Sequence, residues 1–414
     1  MTSTISFAQV RAHLLARTEI ALIDLREEHP FAQEHPLWAA NLPVSRIATD
    51  ARRRIPRRDT LIALYGEQDG EDRVKQGAAA LAGLGYTNVH ALEGDLDGWR
   101  AAGGELFRDV NVPSKAFGEL VEHERATPSL SAQEVKALID EKADVVVVDA
   151  RRFDEYQTMS IPSATSLPGA ELVLRVRELA PDPATRVIVN CAGRTRSIIG
   201  TQSLVNAGIP NPVAALRNGT IGWKLAGQAL DHGAARRPPS SVSEVNQIQA
   251  QTAARGVAGR AGVRWIDTAA LPALEAPGRT VYRFDVRTQE AYAAGHLPGF
   301  ASAPGGQLVQ ETDHHVPVRG ARIVLVDDDQ VRAPMTASWL AQMGWEAYVL
   351  APADLALFSE TGAPAASHSV GAQRYRRPYE GTDASVEAMQ AYLDWEFGLV
   401  AQLARDGTHH FRVI

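Results

Sequence analysis

Short runs of apolar, often β-branched residues alternate with longer stretches whose apolar positions recur at helical spacing. The runs ending at Asp24, and those over residues 61–65, 145–149, 187–190, 282–285 and 322–326, are continuous rather than alternating. That pattern predicts strands covered on both faces. Helix starts lie ahead of the first strand of each pair. Ser6 with Gln9, and Ser131 with Glu134, fit the capping box, and Asp267 opens the third stretch. After each second strand comes a helical run, then a turn marked by Gly85, Gly208 or Gly344, then a further strand. Strands alternating with amphipathic helices predict parallel βαβ units with helices on both sheet faces. Near the end, Met389, Tyr392, Leu393, Phe397, Val400 and Leu403 predict one helix over residues 384–405, with these side chains as its packed face.

The pattern repeats with a fixed ruler. Asp24, Asp149 and Asp285 each end a buried run, and each is followed two positions on by arginine, at Arg26, Arg151 and Arg287. A step of 42 residues from these aspartates lands on Gly66, Cys191 and Asp327. The Asp-x-Arg pairs read as structural ion pairs at strand ends. Trp99 and Trp223 recur after the later strands and read as core residues. The repeat divides the chain into domains at 1–110, 127–235 and 260–365, with a tail over 366–414. Residues 111–128 and 233–261 read as linkers.

A net charge of −7 on 414 residues gives no reason to expect nucleic acid. No apolar run is long enough to span a membrane, and no secretory signal pattern opens the chain. Cys191 is the one cysteine, which excludes an intramolecular disulfide and an all-cysteine metal site. A lone functional thiol suits a reducing compartment, so the expected location is cytoplasmic.

Cys191 stands where a central strand ends and a helical run begins, the edge at which parallel α/β sheets bind ligands. Behind it come Ala192, Gly193, Arg194, Thr195, Arg196 and Ser197. Backbone N–H groups of such a loop can converge into an anion-binding nest, reinforced by the positive end of the next helix. With Arg194 and Arg196 adding charge, the loop predicts a lowered thiol pKa at Cys191 and an anionic substrate held by residues 192–197. The competing reading is a buried structural cysteine. No histidine lies near in sequence, and no general base is assigned.

The loop over residues 191–196 resembles the six-residue active-site cradle of the rhodanese family of sulfurtransferases. Cysteine phosphatases and arsenate reductases instead place an arginine six positions after the cysteine, where this chain has Ser197. The Asp-x-Arg strand ends match the rhodanese pattern too. So does the turn Gly295, His296, Leu297, Pro298, Gly299, Phe300, which is degraded at residues 159–164 and looser near His35. The resemblance implies an α/β chain of three tandem rhodanese-like domains, with central parallel sheets flanked by helices and a C-terminal helical tail. It implies that Cys191 takes a sulfane sulfur from thiosulfate or a similar anion, as a persulfide, and passes it to cyanide, a cellular thiol or a protein acceptor. Sulfite would leave beside Arg194 and Arg196. Neither cofactor nor metal is expected. The domains with Gly66 and Asp327 lack the nucleophile; the acidic run 327–329 reads as a degenerate loop with solvated charges rather than a metal site. A second reading is a sulfur relay or scaffold that docks a partner through those two domains. Arsenate or phosphate chemistry at Cys191 is a third. In the tail, Arg374, Tyr375, Arg377 and Tyr379 read as an intramolecular clamp, and His409 with His410 as a loop pair.

Overall fold

The computed structural model describes residues 2–66, 72–275, 278–351, 355–363, 374–381 and 383–414. Three sheets share one winding order. The middle sheet runs Ser129–Leu130, Val213–Leu216, Arg186–Asn190, Val145–Asp149, Thr165–Ser166, all parallel. The third runs Arg264–Ile266, Glu346–Leu350, Arg322–Val326, Val281–Asp285, Ala301–Ser302, also parallel. The first runs Ser3–Ile5, Val89–Leu92, Ile62–Tyr65, Ile20–Asp24, with Ala40–Asn41 beside the last. Its far edge is completed by Val318–Arg319, a strand from the third repeat that pairs antiparallel with Ile20–Asp24. Pairing covers an otherwise open edge and ties the first and third units together. This is the α/β arrangement expected, three times over, with helical segments at the C-terminus.

The 42-residue ruler is strand register. Asp24 stands opposite Tyr65, Asp149 opposite Asn190 and Asp285 opposite Val326. Gly66, Cys191 and Asp327 therefore leave their sheets at one equivalent point. The arginine two positions after each aspartate turns back onto it, with N–O distances of 2.6, 2.7 and 2.7 Å for Arg26, Arg151 and Arg287. Each also donates to a carbonyl eight residues on, at Glu34, Met159 and Gly295. The next residues, His35, Ser160 and His296, each make an isolated bridge, to Phe107, Asp231 and Glu360. The turn that looked degraded in two repeats is thus the same turn in all three. Its Asp–Arg pairs are buried and brace it, as expected of a structural pair.

The connectors differ from the linkers expected. Residues 111–128 hold a helix, Val112–Arg125, whose Ser114, Lys115, Phe117 and Glu119 are buried. It packs on Thr195–Asn206 and on Leu399–Asp406. Its polar side chains are not solvated linker residues but partners of other buried groups. In the second connector, Glu244–Ala261 packs on Arg332–Gln342 and Leu172–Leu179 through small residues, Ala250, Ala254 and Ala258. The C-terminal helix is two helices, Val386–Phe397 and Leu399–Asp406, parted at Gly398. The final residues then lie on the first and third units, with Trp38 Nε1 donating to the Thr408 carbonyl and Arg412 N to the Gln342 carbonyl. No helix among the described residues is long and apolar enough to cross a membrane.

Candidate active site

Cys191 follows the central strand Arg186–Asn190, and the helix Thr195–Asn206 begins four residues later. The first two carbonyls of the loop are tied to a neighbouring helix. Cys191 O accepts from Thr220 N at 2.9 Å, and Ala192 O accepts from Ile221 N at 3.0 Å and Thr220 Oγ1 at 3.1 Å. These donors lie in the first turn of Gly219–Leu225. The N–H groups of residues 192–196 meet no acceptor among the described residues. Ser197 Oγ lies 3.4 Å from Cys191 Sγ while donating to Arg194 O at 2.8 Å, and hydrogen bonding from Ser197 pulls the thiol down. The sulfur thus sits at an uncapped helix N-terminus.

The third repeat shows what this loop shape binds. Asp327 stands at the cysteine position, and its carboxylate accepts from Gln330 N at 3.1 Å, Val331 N at 3.0 Å and Ala333 N at 2.8 Å. Those donors correspond to Arg194, Thr195 and Ser197 in the middle loop. Asp328 pairs with Arg287 at 3.1 Å, and Asp329 with Arg332. The expected solvated charges are instead engaged, with Asp327 and Asp329 buried. A carboxylate here fills the cradle from within. In the first repeat Gly66 N donates to Asp95 Oδ2 at 2.7 Å; residues 67–71 of that acidic loop lie outside the described residues.

Neither arginine points its guanidinium at Cys191 unpaired. Arg194 donates through Nε and Nη2 to Glu119 at 2.7 and 2.8 Å and through Nη1 to Asn218 at 3.0 Å, with Glu122 alongside. The ring of Phe397 stacks on it at 4.1 Å. Arg196 makes a two-point pair with Glu155 at 2.7 and 2.9 Å, and the Arg196 and Arg151 charges hold the Glu155 carboxyl down at about 2 against burial. Their direct contacts are structural, and the anion-facing donors are backbone. The thiol differs from expectation as well. Burial pushes Cys191 up, and the Arg196 charge and the Ser197 hydrogen bonds offset this only in part. The cause is a cover that leaves Cys191 2% exposed.

That cover is the C-terminal segment. Tyr379, Met389, Tyr392 and Leu393 pack on Ala192 and Ile221. Lys115, paired with Asp109 at 2.6 Å, lies under the rings of Tyr379, Tyr392 and Trp395 at 5.6, 5.2 and 5.4 Å. Glu396 is buried against the loop. Its Oε1 accepts from Tyr392 Oη at 2.9 Å, and its Oε2 has no hydrogen-bond partner among the described residues. Burial and the Glu119 charge push its carboxyl up to about 8. Sequence reasoning missed Glu396, Tyr392 and Lys115 as site residues. The available signal was a glutamate four positions after Tyr392 and seven after Met389, on the buried face. Phe397, expected there, is 54% exposed. The clamp residues behave as read: Arg374 and Arg377 pair with Glu380, and Tyr375 Oη donates to Asp109 Oδ2 at 3.2 Å.

Gly219 fixes the loop's closeness to its anchor. Its φ is +55°, and a Cβ there would stand 2.3 Å from Cys191 O and 2.8 Å from Gly193 O. Gly219→Ala is expected to cost about 2 kcal/mol or more, from left-handed strain and overpacking together. It should also slow sulfur loading of Cys191. Thermal melting and single-turnover loading check the two effects.

The rhodanese-like domain model matches residues 6–102, 131–226 and 273–352. The chain belongs to the rhodanese family. It is also similar to the crystal structure of a thiosulfate sulfurtransferase from Pseudomonas aeruginosa, 52% identical over 100% of both chains, with a TM-score of 0.96. A stretch of 94 residues is 33% identical to the HTH-type transcriptional regulator Rv0324 of Mycobacterium tuberculosis. That match covers 23% of this chain and 41% of the regulator. The rhodanese family membership accounts for the three repeats, and the ruler marks the equivalent position in each, occupied by Gly66, Cys191 and Asp327.

Proposed function

We propose that the protein is a thiosulfate sulfurtransferase working through a Cys191 persulfide. The observation that carries this is the pairing of loops. The backbone cradle that wraps the Asp327 carboxylate in the third repeat has its equivalent in the loop that opens at Cys191 in the second, where Ser197 Oγ lies 3.4 Å from the sulfur. It is built for an anion, and only here is that anion a nucleophile. The likeness to the Pseudomonas aeruginosa enzyme supports thiosulfate as donor.

In the first half-reaction the Cys191 thiolate attacks the sulfane sulfur. The S–S bond of thiosulfate breaks with its electron pair on sulfite, which leaves. The N–H groups of residues 192–197 and the helix terminus meet the anionic oxygens. Arg194 and Arg196 act at one remove, through loop geometry and field, because their donors are engaged. In the second half-reaction an acceptor nucleophile takes the outer sulfur, which gives ping-pong kinetics. The lone cysteine supports a reducing, cytoplasmic setting. With Cys191 at 2% exposure, donor and acceptor enter as the segment around Tyr379 and Tyr392 lifts. That burial also favours a second reading, a relay whose persulfide is released by a protein partner. Rapid discharge by small thiols would exclude it, and a persulfide that survives them would support it.

Arg196 supplies the largest pull lowering the Cys191 thiol. Removing it should raise that pKa, so the alkaline rise in the loading rate of Arg196→Gln should move up by about one pH unit. A rise that stays in place would remove Arg196 from the account. The direct test of the function is thiosulfate-dependent thiocyanate formation in the presence of cyanide.

A further inference from the structure

The carboxylates near Cys191 have cations or donors: Glu119 on Arg194, Glu155 on Arg196, Asp149 on Arg151, Asp109 on Lys115. Glu396 has a hydrogen-bond donor but no ion pair among the described residues. It is 1% exposed, one oxygen is held by Tyr392, and the other has no hydrogen-bond partner among the described residues. The free Oε2 points at the reactive loop, 3.4 Å from where a Cβ on Gly193 would stand. A buried oxygen without a partner costs about 1–3 kcal/mol. A leucine at this position would close the same apolar cover without that cost. The oxygen instead lies beside the Cys191 loop, close enough for its charge to be felt at the thiol.

We propose that Glu396 is the proton carrier of the acceptor half-reaction, and that the acceptor it serves is a thiol. The proposal rests on the persulfide reading above. The Glu396 carboxylate takes the proton from the S–H of the incoming thiol. The resulting thiolate attacks the outer sulfur of the Cys191 persulfide. The Sγ–S bond breaks with its electron pair on Sγ, and the Glu396 acid returns the proton to Sγ. Cysteine thiol and carboxylate are restored, and the product is the persulfide of the acceptor, its outer sulfur in the protonation state it had on Cys191.

The groups facing Glu396 tune it for this. Glu119 from the helix Val112–Arg125 adds to burial in pushing the carboxyl up. Lys115 from that helix, Tyr392 from its own helix and Arg194 from the loop hold it down, and Cys191 feels its charge in turn. The resulting value, about 8, lies close to that of a free thiol, ~8.5, and proton transfer between matched groups is efficient. At neutral pH the group is mostly uncharged, so it does not repel thiosulfate in the first half-reaction.

The test uses the full chain, loaded with thiosulfate and freed of donor, then mixed with one of two thiols. 2-Mercaptoethanol carries a proton at pH 7; 4-nitrothiophenol is already ionised. Glu396→Gln, nearly isosteric, is expected to load like the native protein. It should discharge to 2-mercaptoethanol roughly a hundredfold more slowly and lose the rise in rate with pH. Discharge to 4-nitrothiophenolate should stay near the native rate. Glu396→Asp should restore part of the lost rate. Tyr392→Phe, which removes a hydrogen bond that lowers the carboxyl, should move the pH rise upward. Equal slowing with both thiols, or slowing with neither, overturns the proposal while leaving the persulfide in place. Failure of the native protein to load overturns the persulfide reading itself.

Discussion

Cys191→Ser is expected to gain no sulfur from thiosulfate and to lose turnover by roughly a thousandfold or more, to the uncatalysed level. The chain holds one cysteine, so no other thiol can take over. A serine hydroxyl keeps the size and the Ser197 contact but is a far weaker nucleophile than the thiolate. The neighbouring cradles cannot substitute: Asp327 is bound by its own loop N–H groups, and Gly66 has no side chain. The fold should be untouched, because the loop is held by backbone hydrogen bonds to Thr220 and Ile221 rather than by the sulfur. An unchanged melting curve with full loss of thiocyanate formation is the predicted pair of results. Retained turnover would remove Cys191 from the mechanism.

Arg194→Met is expected to be the most destabilising single change at the site. The arginine is 3% exposed, and it pairs with Glu119, which is 4% exposed, as well as with Glu122 and Asn218. Removing one partner of a buried pair strands the other charge, at a cost of about 3–5 kcal/mol. The loop would also lose its tie to the helix Val112–Arg125 and to Phe397, so sulfur loading should fall with stability. The pH dependence has a definite sign. Burial already holds the Glu119 carboxyl above its ordinary value, and without Arg194 it rises further. Stability tied to a raised carboxyl is full below its unfolded value and lost as pH rises through the folded one. The deficit of Arg194→Met should therefore shrink toward pH 4 and grow toward pH 8. Adding Glu119→Gln should recover much of it. Denaturant melts of the single and double variants at both pH values check this, and an unchanged deficit across pH would contradict it.

The repeats were legible because backbone register leaves a fixed count in the chain. Three buried strands ending in Asp-x-Arg, with 42 residues to the next exit point, gave the three repeats and the place of Cys191 at a sheet exit. The shared structural turn at His35, Ser160 and His296 was visible in outline even where its residues had changed, since a backbone bridge tolerates either side chain. What stayed hidden involves residues distant in sequence. Nothing near Cys191 announces that Arg194 meets Glu119, 75 positions away, or that Arg196 meets Glu155. Polar residues at 111–128 suggested solvent, yet Lys115 is buried against Asp109 just upstream and Glu119 against the distant Arg194. The thiol shift was misjudged for the same reason. The loop alone favours a thiolate, but the cover that desolvates it is supplied some two hundred residues later. Glu396 was the subtlest case, a single charge on an otherwise apolar face.

The most direct test of the central claim is an intact-mass measurement. The reduced native protein is mixed with thiosulfate, freed of excess and weighed, then weighed again after cyanide. The account predicts a gain of one sulfur atom, mapped to the peptide containing Cys191 and removed by cyanide as thiocyanate. A native, folded protein that gains no sulfur, or gains it on a peptide without Cys191, would contradict it.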